Sequence, residues 1–476
     1  MNWFSAEDYW VSRLIFQRGL ALVYLFAFLS AAHQYRPLIG EHGLLPVPSY
    51  LRRVPLRRAP SVFQLHYSDR FFAAITWIGV IVSGALLIGF GDRLPLLPSM
   101  VVWALLWVSY LSIVNVGQIW FGFGWETLLC EVGFLAIFLG PSGVAPSKPI
   151  LIALWWVLFR LEFGAGLIKL RGDRCWRDLT CLYYHHETQP MPNPLSWYFH
   201  HLPRWAHRAE VASNHVTQLV VPFLLFMPQP IAEIAAIVVI VTQGWLVVSG
   251  NFAWLNVLAM VIATTAVGDQ LWEIILPVSR HTSLDPDPAW HRRVIYVLAV
   301  VMVILSYWPI RNMLSSRQLM NHSFNPFHLV NTYGAFGSIT KVRHEIVIEG
   351  TDAIELGPDT PWRAYEFYGK PGDVYRRPAQ VAPYHLRLDW LMWFAALSPG
   401  YGQTWFQRFV TKLLQGDHAT LRLLRHNPFP AKPPTYVRAL LYCYRFTDRL
   451  TRRQTGAWWE RVLIGEYLPP SSRPRS

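Results

Sequence analysis

The chain has 476 residues, of which 53% are hydrophobic and only 15% charged, with 23 Trp and a net charge of +13. Soluble domains carry roughly 25% charged residues, so this composition excludes an ordinary water-soluble globule and points to lipid. The basic residues lie scattered in loops (Arg52, Arg53, Arg57 and Arg58 among them) and not on one face with stacking aromatics, which argues against a nucleic-acid partner and for loops beside phospholipid headgroups.

A helix needs about 20 apolar residues to cross a bilayer. Nine stretches approach that length: 14–34, 71–91, 97–115, 124–140, 149–169, 210–228, 230–250, 252–268 and 293–310. The first is too long for the apolar core of a signal peptide and runs into AAHQYRP without a small-residue cleavage site, so it reads as retained. The stretch 124–140 is short and carries Glu126 and Glu131, and 252–268 barely reaches the length. From residue 311 onward no apolar run reaches membrane length. The expected fold is therefore a membrane α-helical bundle of about nine transmembrane helices over 1–315, followed by an α+β domain over 316–476.

The stretch 149–169 is the most informative, because it places Arg160, Glu162 and Lys169 in or beside an apolar helix. An ionisable side chain at mid-bilayer costs about 2.5–3.5 kcal/mol on insertion scales, so such groups face a bundle interior, pair with one another or line a site. Glu162, Gly166 and Lys169 share a helix face through i+4 and i+7 spacing, and Gly164 and Gly166 let a second backbone come close. Glu131 has no local cation, which makes Arg160 or Lys169 its expected partner. Two readings of Lys169 stand side by side. It is a general base held in an apolar site, tuned by Glu131, Arg160 and Glu162, or it reaches toward the headgroups and pairs with Glu162.

Cys175 and Cys181 follow, separated by five residues in an irregular loop. They form either a disulfide, which requires an oxidising compartment, or two unrelated thiols. Nine alternating spans put loop 35–70, loop 170–209 and the tail on one side. Their basic residues place that side in the cytoplasm by the positive-inside rule, whereas a disulfide places it outside. Cys130 and Cys443 read as packing residues. His185, His186, Glu187, His200, His201, His207 and His215 are dense enough to raise the question of a metal. No H-E-x-x-H spacing occurs and Pro203 interrupts any single helix, so no metal site is assigned. Asn251, Asn256 and Asp269 are expected to align membrane helices.

In the tail, strands are expected over 341–349 (Val342, His344, Ile346 and Ile348 on one face), 363–368, 436–446 and 458–467, with helices over 386–396, 403–414 and 418–425. Trp390 and Trp393 lie beside Asp389 on the first of these helices. Together with Trp176 they are candidates for contact with a client protein or, for the helical pair, the membrane face. The closing PPSSRPRS is expected to fray. No G-x-S-x-G elbow, Walker loop or dinucleotide fingerprint is present, so neither lipase chemistry nor a bound cofactor is expected. A transporter would show paired, broken helices in two repeats, and none is seen.

Four segments carry a resemblance: NVGQIWFGFGWETLLCEVGFLAIFL (115–139), GAGLIKLRGDRCWRDLTCLYYHHETQPMPNP (164–194), LVNTYGAFGSITKVR (329–343) and APYHLRLDWLMWFAAL (382–397). Through them most of the chain resembles the lipase maturation factor family. The resemblance implies a polytopic membrane protein that assists the folding and assembly of secreted lipases, with its tail facing away from the cytosol. That side is the lumen of the endoplasmic reticulum in a eukaryote, or the periplasm beyond a bacterial inner membrane. Membrane lipids and a lipase-like client are the implied partners. A shorter match, Ala165–Leu170 (AGLIKL), is similar to the vitamin K-dependent γ-carboxylases. It implies the alternative of a membrane enzyme in which Lys169 is the base of a quinone- or lipid-linked modification.

Overall fold

A computed structural model describes residues 4–276 and 284–473. Eleven helices of its first 314 residues position the site: α1 (Trp10–Ile39), α2 (Asp69–Leu87), α3 (Leu96–Val116), α4 (Gly124–Ala136), α5 (Lys148–Arg171), α6 (Leu182–Thr188), α7 (Arg204–Leu219), α8 (Ile231–Ser249), α9 (Leu255–Ala263), α10 (Asp269–Ile275) and α11 (Ala289–Leu314). Among the described residues six are long and apolar enough to span a bilayer, namely α1, α2, α3, α5, α8 and α11. The α9–α10 pair brings the number to seven if it counts as one span, although it bends by 112°.

This is fewer than the nine expected, and the shortfall has local causes. Helix α4 has 13 residues, about 20 Å at 1.5 Å per residue. Helix α7 opens on the polar sequence RWAHRAEVASNH and stops at Val220. There Pro222 supplies no backbone donor and its ring crowds the preceding turn. Helix α9 has only nine residues before the chain turns.

Helix α5 is the hub. In its most apolar stretch 72% of residues are buried, against 28% in each of α2, α8 and α11. A helix apolar on all sides must be surrounded by protein or lipid. The three outer helices present Ile81, Val241, Val297, Val303 and Ile304 outward, a lipid-facing belt, whereas α5 meets α7, α11 and α9. The protein is an integral membrane protein.

The tail forms a four-stranded antiparallel sheet in the order β2-β1-β3-β4, with β1 Arg343–Thr351, β2 Arg363–Ala364, β3 Tyr436–Phe446 and β4 Trp459–Ser472. Helix α12 (Arg387–Leu397) packs against β1, and α13 (Phe406–Gln415) touches β3. The one-sided strand expected at 341–349 is covered on both faces, with Arg343, Glu345 and Val347 buried as well as Ile346 and Ile348. Val347 joins Trp197, Tyr444, Phe446 and Trp459 in one cluster, so a segment from the loop after α5 roofs the sheet. The closing segment does not fray over Pro469–Ser472: Ser472 pairs with Tyr436. Pro is tolerated there because β4 is an edge strand. Residues 474–476 lie outside the described residues.

Candidate functional site

Helix α5 carries three ionisable side chains inward, and each is met by a specific set of partners. Arg160 and Glu131 are 1% and 0% exposed and form an ion pair through both nitrogens. Arg160 Nη1 also donates to the Asn331 carbonyl at 2.5 Å. Glu131 Oε2 accepts from Asn331 N and Nδ2, both at 3.0 Å, and from Tyr333 Oη at 2.7 Å. The guanidinium lies 5.5 Å from the Trp156 ring and 5.8 Å from that of Tyr333. The backbone that comes close to α5 here is this 331–333 segment, not a second membrane helix. A Cβ on Gly164 would sit 2.4 Å from the Tyr333 carbonyl oxygen.

Glu162 and Lys169 are 1% and 7% exposed, and they do not pair directly. Lys169 Nζ donates to Asn214 Oδ1 at 2.7 Å and Gln218 Oε1 at 2.9 Å, and lies 4.8 Å from the Trp176 ring centroid. Glu162 accepts from Gln218 Nε2 at 3.4 Å and Gln243 Nε2 at 2.5 Å. Helix α7 therefore inserts an amide between the charges, and Gln218 bridges them by donating to one and accepting from the other. The expected Lys169–Glu162 salt bridge is replaced by a chain of hydrogen bonds through neutral amides. The sequence did hold a signal for it, since Gln243 is a lone amide in apolar α8 and Asn214 and Gln218 are one helical turn apart.

Beyond α5, Cys175 and Cys181 are joined in a disulfide with Cα atoms 4.8 Å apart. Trp176, Leu182, Val211 and Ile339 pack around it. Trp176 is 4% exposed and donates to the Phe336 carbonyl at 2.8 Å. Trp390 is 3% exposed against Trp125, their rings 4.9 Å apart. Neither indole reaches solvent, because loop 329–337 covers the first and α12 packs the second inward. Trp393 is half-buried and donates to the Thr188 carbonyl at 3.2 Å.

Two further charged clusters tie the tail to the bundle, and sequence reasoning missed both. Arg387, at the start of α12, donates to Glu126 Oε1 at 2.6 Å and to the Trp120 carbonyl at 2.7 Å. Tyr110 donates to the other oxygen of Glu126, and His385 Nδ1 lies 3.5 Å from Oε1. Burial, followed by the Arg387 charge, pushes His385 down to about 4. The second cluster joins Arg343, Glu345 and Lys370. Arg343 reaches the C-terminal end of α6, donating to the carbonyls of Glu187 at 2.9 Å and Gln189 at 2.5 Å. Buried Asp389 accepts from Gly369 N at 2.7 Å, and desolvation raises it to about 6. The Arg387–Glu126 pair and the Arg343 contacts with Glu187 and Gln189 span 261, 156 and 154 residues, so no local pattern announced them.

Of the histidines, His186 and His207 meet Glu210, with one donor atom from each lying within 4.8 Å of the others. His200 faces Glu187 at 3.8 Å. His201 bonds the Trp197 carbonyl and His215 that of Trp176.

Two sequence profiles match the chain. "Lipase maturation factor transmembrane domain" covers residues 11–274 and "Lipase maturation factor C-terminal domain" covers residues 329–469. Lipase maturation factor 1 of Homo sapiens is 42% identical over 98% of this chain and 88% of its own length. The Bos taurus protein of the same name is 40% identical over 98% and 90%. Lipase maturation factor 2 of Xenopus laevis is 28% identical over 96% and 82%. No solved structure matches the chain. With both parts of the chain matched and the human relative aligned nearly end to end, the chain belongs to the lipase maturation factor family.

Proposed function

We propose that this chain is a membrane-embedded maturation factor that assists the folding and assembly of secreted lipases or closely related clients. The names of its relatives supply the client class. The observation that carries the reading is the way the buried charges of α5 are used. Arg160 is neutralised by Glu131, and Lys169 is held by two amide oxygens and an aromatic face. These contacts fix helices and loops to one another, as a scaffold requires. A general base needs its nitrogen free to meet a substrate proton.

The domain division is 1–315 and 316–476, and the chain crosses the bilayer nine times, three crossings using the short or broken helices α4, α7 and α9. Contacts at the two ends of the bundle support this count. One end gathers the start of α1 with Asp269, Ser142 and Gln229. The other gathers Ser30 and Gln34 with the His385 carbonyl, Asn251 with that of Ala379, and Asn312 with Thr332. The tail and the Cys175–Cys181 loop share the second end. A disulfide persists outside the cytosol, so that end faces the endoplasmic reticulum lumen in a eukaryotic cell or the periplasm in a bacterium.

With Trp176 and Trp390 inside, the client surface is assigned to the roof of the sheet. There Trp197, Tyr198, Arg449, Arg452 and Arg453 line an open groove of about 460 Å³. Arg452 stacks 3.5 Å from Trp458 and 4.3 Å from Trp197. Aromatic and Arg side chains dominate protein-binding surfaces.

The test is secretion of active lipase from cells that lack their own maturation factor. The wild-type chain and Lys169→Met restore it, and the double variant Arg452→Ala, Trp458→Ala restores less of it while folding normally. Loss of all rescue in a folded Lys169→Met variant would instead support a membrane enzyme with Lys169 as base.

A further inference from the structure

We propose that His186, His207 and Glu210 form a zinc(II) site that joins α6 to α7 beside the disulfide loop. One ligand atom from each of the three lies within 4.8 Å of the others. His186 and His207 are each 2% exposed. Histidine nitrogens and a carboxylate oxygen form a zinc donor set that leaves a fourth position for water.

The hydrogen bonds around the cluster point to a ligand. His207 Nε2 lies 3.3 Å from the His200 carbonyl, which can only accept. That contact puts the ring proton on Nε2 and leaves the lone pair on Nδ1, which is buried and has no partner among the described residues. A zinc-bound histidine typically donates its other N–H to a carbonyl in this manner. Both nitrogens of His186 are likewise buried without a hydrogen bond, and Nε2 faces Glu210 Oε2 at 3.9 Å. Glu210 is oriented by Trp245, whose Nε1 donates to Oε1 at 2.8 Å, with Oε2 turned toward His186. Phe199 stacks on His186 at 5.5 Å and Tyr183 meets His207 edge-on at 5.7 Å, so each ring is flanked by an aromatic neighbour.

Buried polar atoms are almost always partnered, and a run of unpaired ones in one place calls for an ion or water. Ligands on a tetrahedral zinc at about 2.0–2.1 Å lie roughly 3.3 Å apart. His186 and Glu210, at 3.9 Å, therefore need to close by about half an ångström, and the widest pair of the three, within 4.8 Å, by up to about 1.5 Å, which side-chain rotation supplies. The proposal does not depend on which client the protein serves.

The test uses the full-length protein, purified in detergent with a tag free of histidine. Zinc is measured by elemental mass spectrometry after dialysis against a weak chelator, and cobalt(II) is then titrated in as a spectroscopic probe. The expected result is one equivalent of zinc per chain and the visible absorption of four-coordinate cobalt. Glu210→Gln and His207→Gln should each weaken metal binding by more than about 100-fold, beyond what removing an outer-shell partner does. A control at exposed His42, His42→Gln, should change nothing. Glu210→Gln keeps shape and the Trp245 hydrogen bond, so it reports even where His207→Gln fails to fold. Sub-stoichiometric zinc with no cobalt spectrum in the wild type overturns the proposal, as does equal metal content in wild type and folded Glu210→Gln.

Discussion

Replacing Arg387 by Met removes the cation that neutralises Glu126 at the junction of tail and bundle. Both side chains are fully buried, and stripping one partner from such a pair costs about 3–5 kcal/mol because an uncompensated charge remains. Glu126 keeps the Tyr110 hydroxyl and the nearby His385 ring, so the cost belongs at the lower end, about 3 kcal/mol. Since 1.4 kcal/mol is a factor of ten, that is on the order of 10²-fold in the population of the opened junction. Native-state proteolysis reads this population directly when opening is fast relative to cleavage. Cleavage in the 316–342 connector of Arg387→Met should accelerate by about that factor. Apolar replacement of a whole buried pair is often neutral or better, so Glu126→Leu combined with Arg387→Met should recover most of the protection. Single effects that simply add, or an Arg387→Met protein cleaved at the wild-type rate, would refute the assigned role of this pair.

Other perturbations follow the same logic. Gly164→Ala forces a methyl against the Tyr333 carbonyl and should destabilise the bundle by about 1–3 kcal/mol, read as a lowered midpoint of thermal unfolding in detergent. Replacing Cys175 and Cys181 by Ser opens a short loop with a sequence separation of 6, which chain entropy values at about 2 kcal/mol, measurable in the same melt against the disulfide-bonded wild type and absent against reduced wild type. Asp389 is raised above its unfolded value by burial. Its contribution to stability is fully present below about pH 4 and is lost as pH rises through about 6. Asp389→Asn keeps the acceptor for Gly369 N, so the difference between variant and wild type should change across pH 4–6 and level off above it. A difference that stays constant over that window would contradict the assignment.

The membrane class, the central helix and the strand–helix sequence of the tail were legible because they rest on local pattern: apolar length, period-two alternation and turn residues. That Glu131 pairs with a cation of the neighbouring helix was also readable, since an intramembrane Glu demands one; the sequence offered Arg160 or Lys169, and the fold takes Arg160. Lys169 was harder. Its partners are neutral amides, and nothing in a sequence says whether two nearby charges touch or share a Gln. Arg387 and Glu126 lie 261 residues apart, a pairing set by how the tail docks and not by spacing. Trp176, Trp390 and Trp197 illustrate the same limit in reverse. All three look alike as loop or helix-face tryptophans and all three are buried, at 4%, 3% and 5% exposed, yet only Trp197 has an edge lining the groove beneath the arginines.

The most direct measurement is secreted lipase activity in cells deprived of their own maturation factor and supplied with this chain. Active enzyme should appear in the medium with the wild-type chain and with Lys169→Met, with the lipase co-purifying on the Trp197–Arg452 face. If lipase remains inactive although the chain is folded and correctly inserted, the maturation role assigned here is wrong.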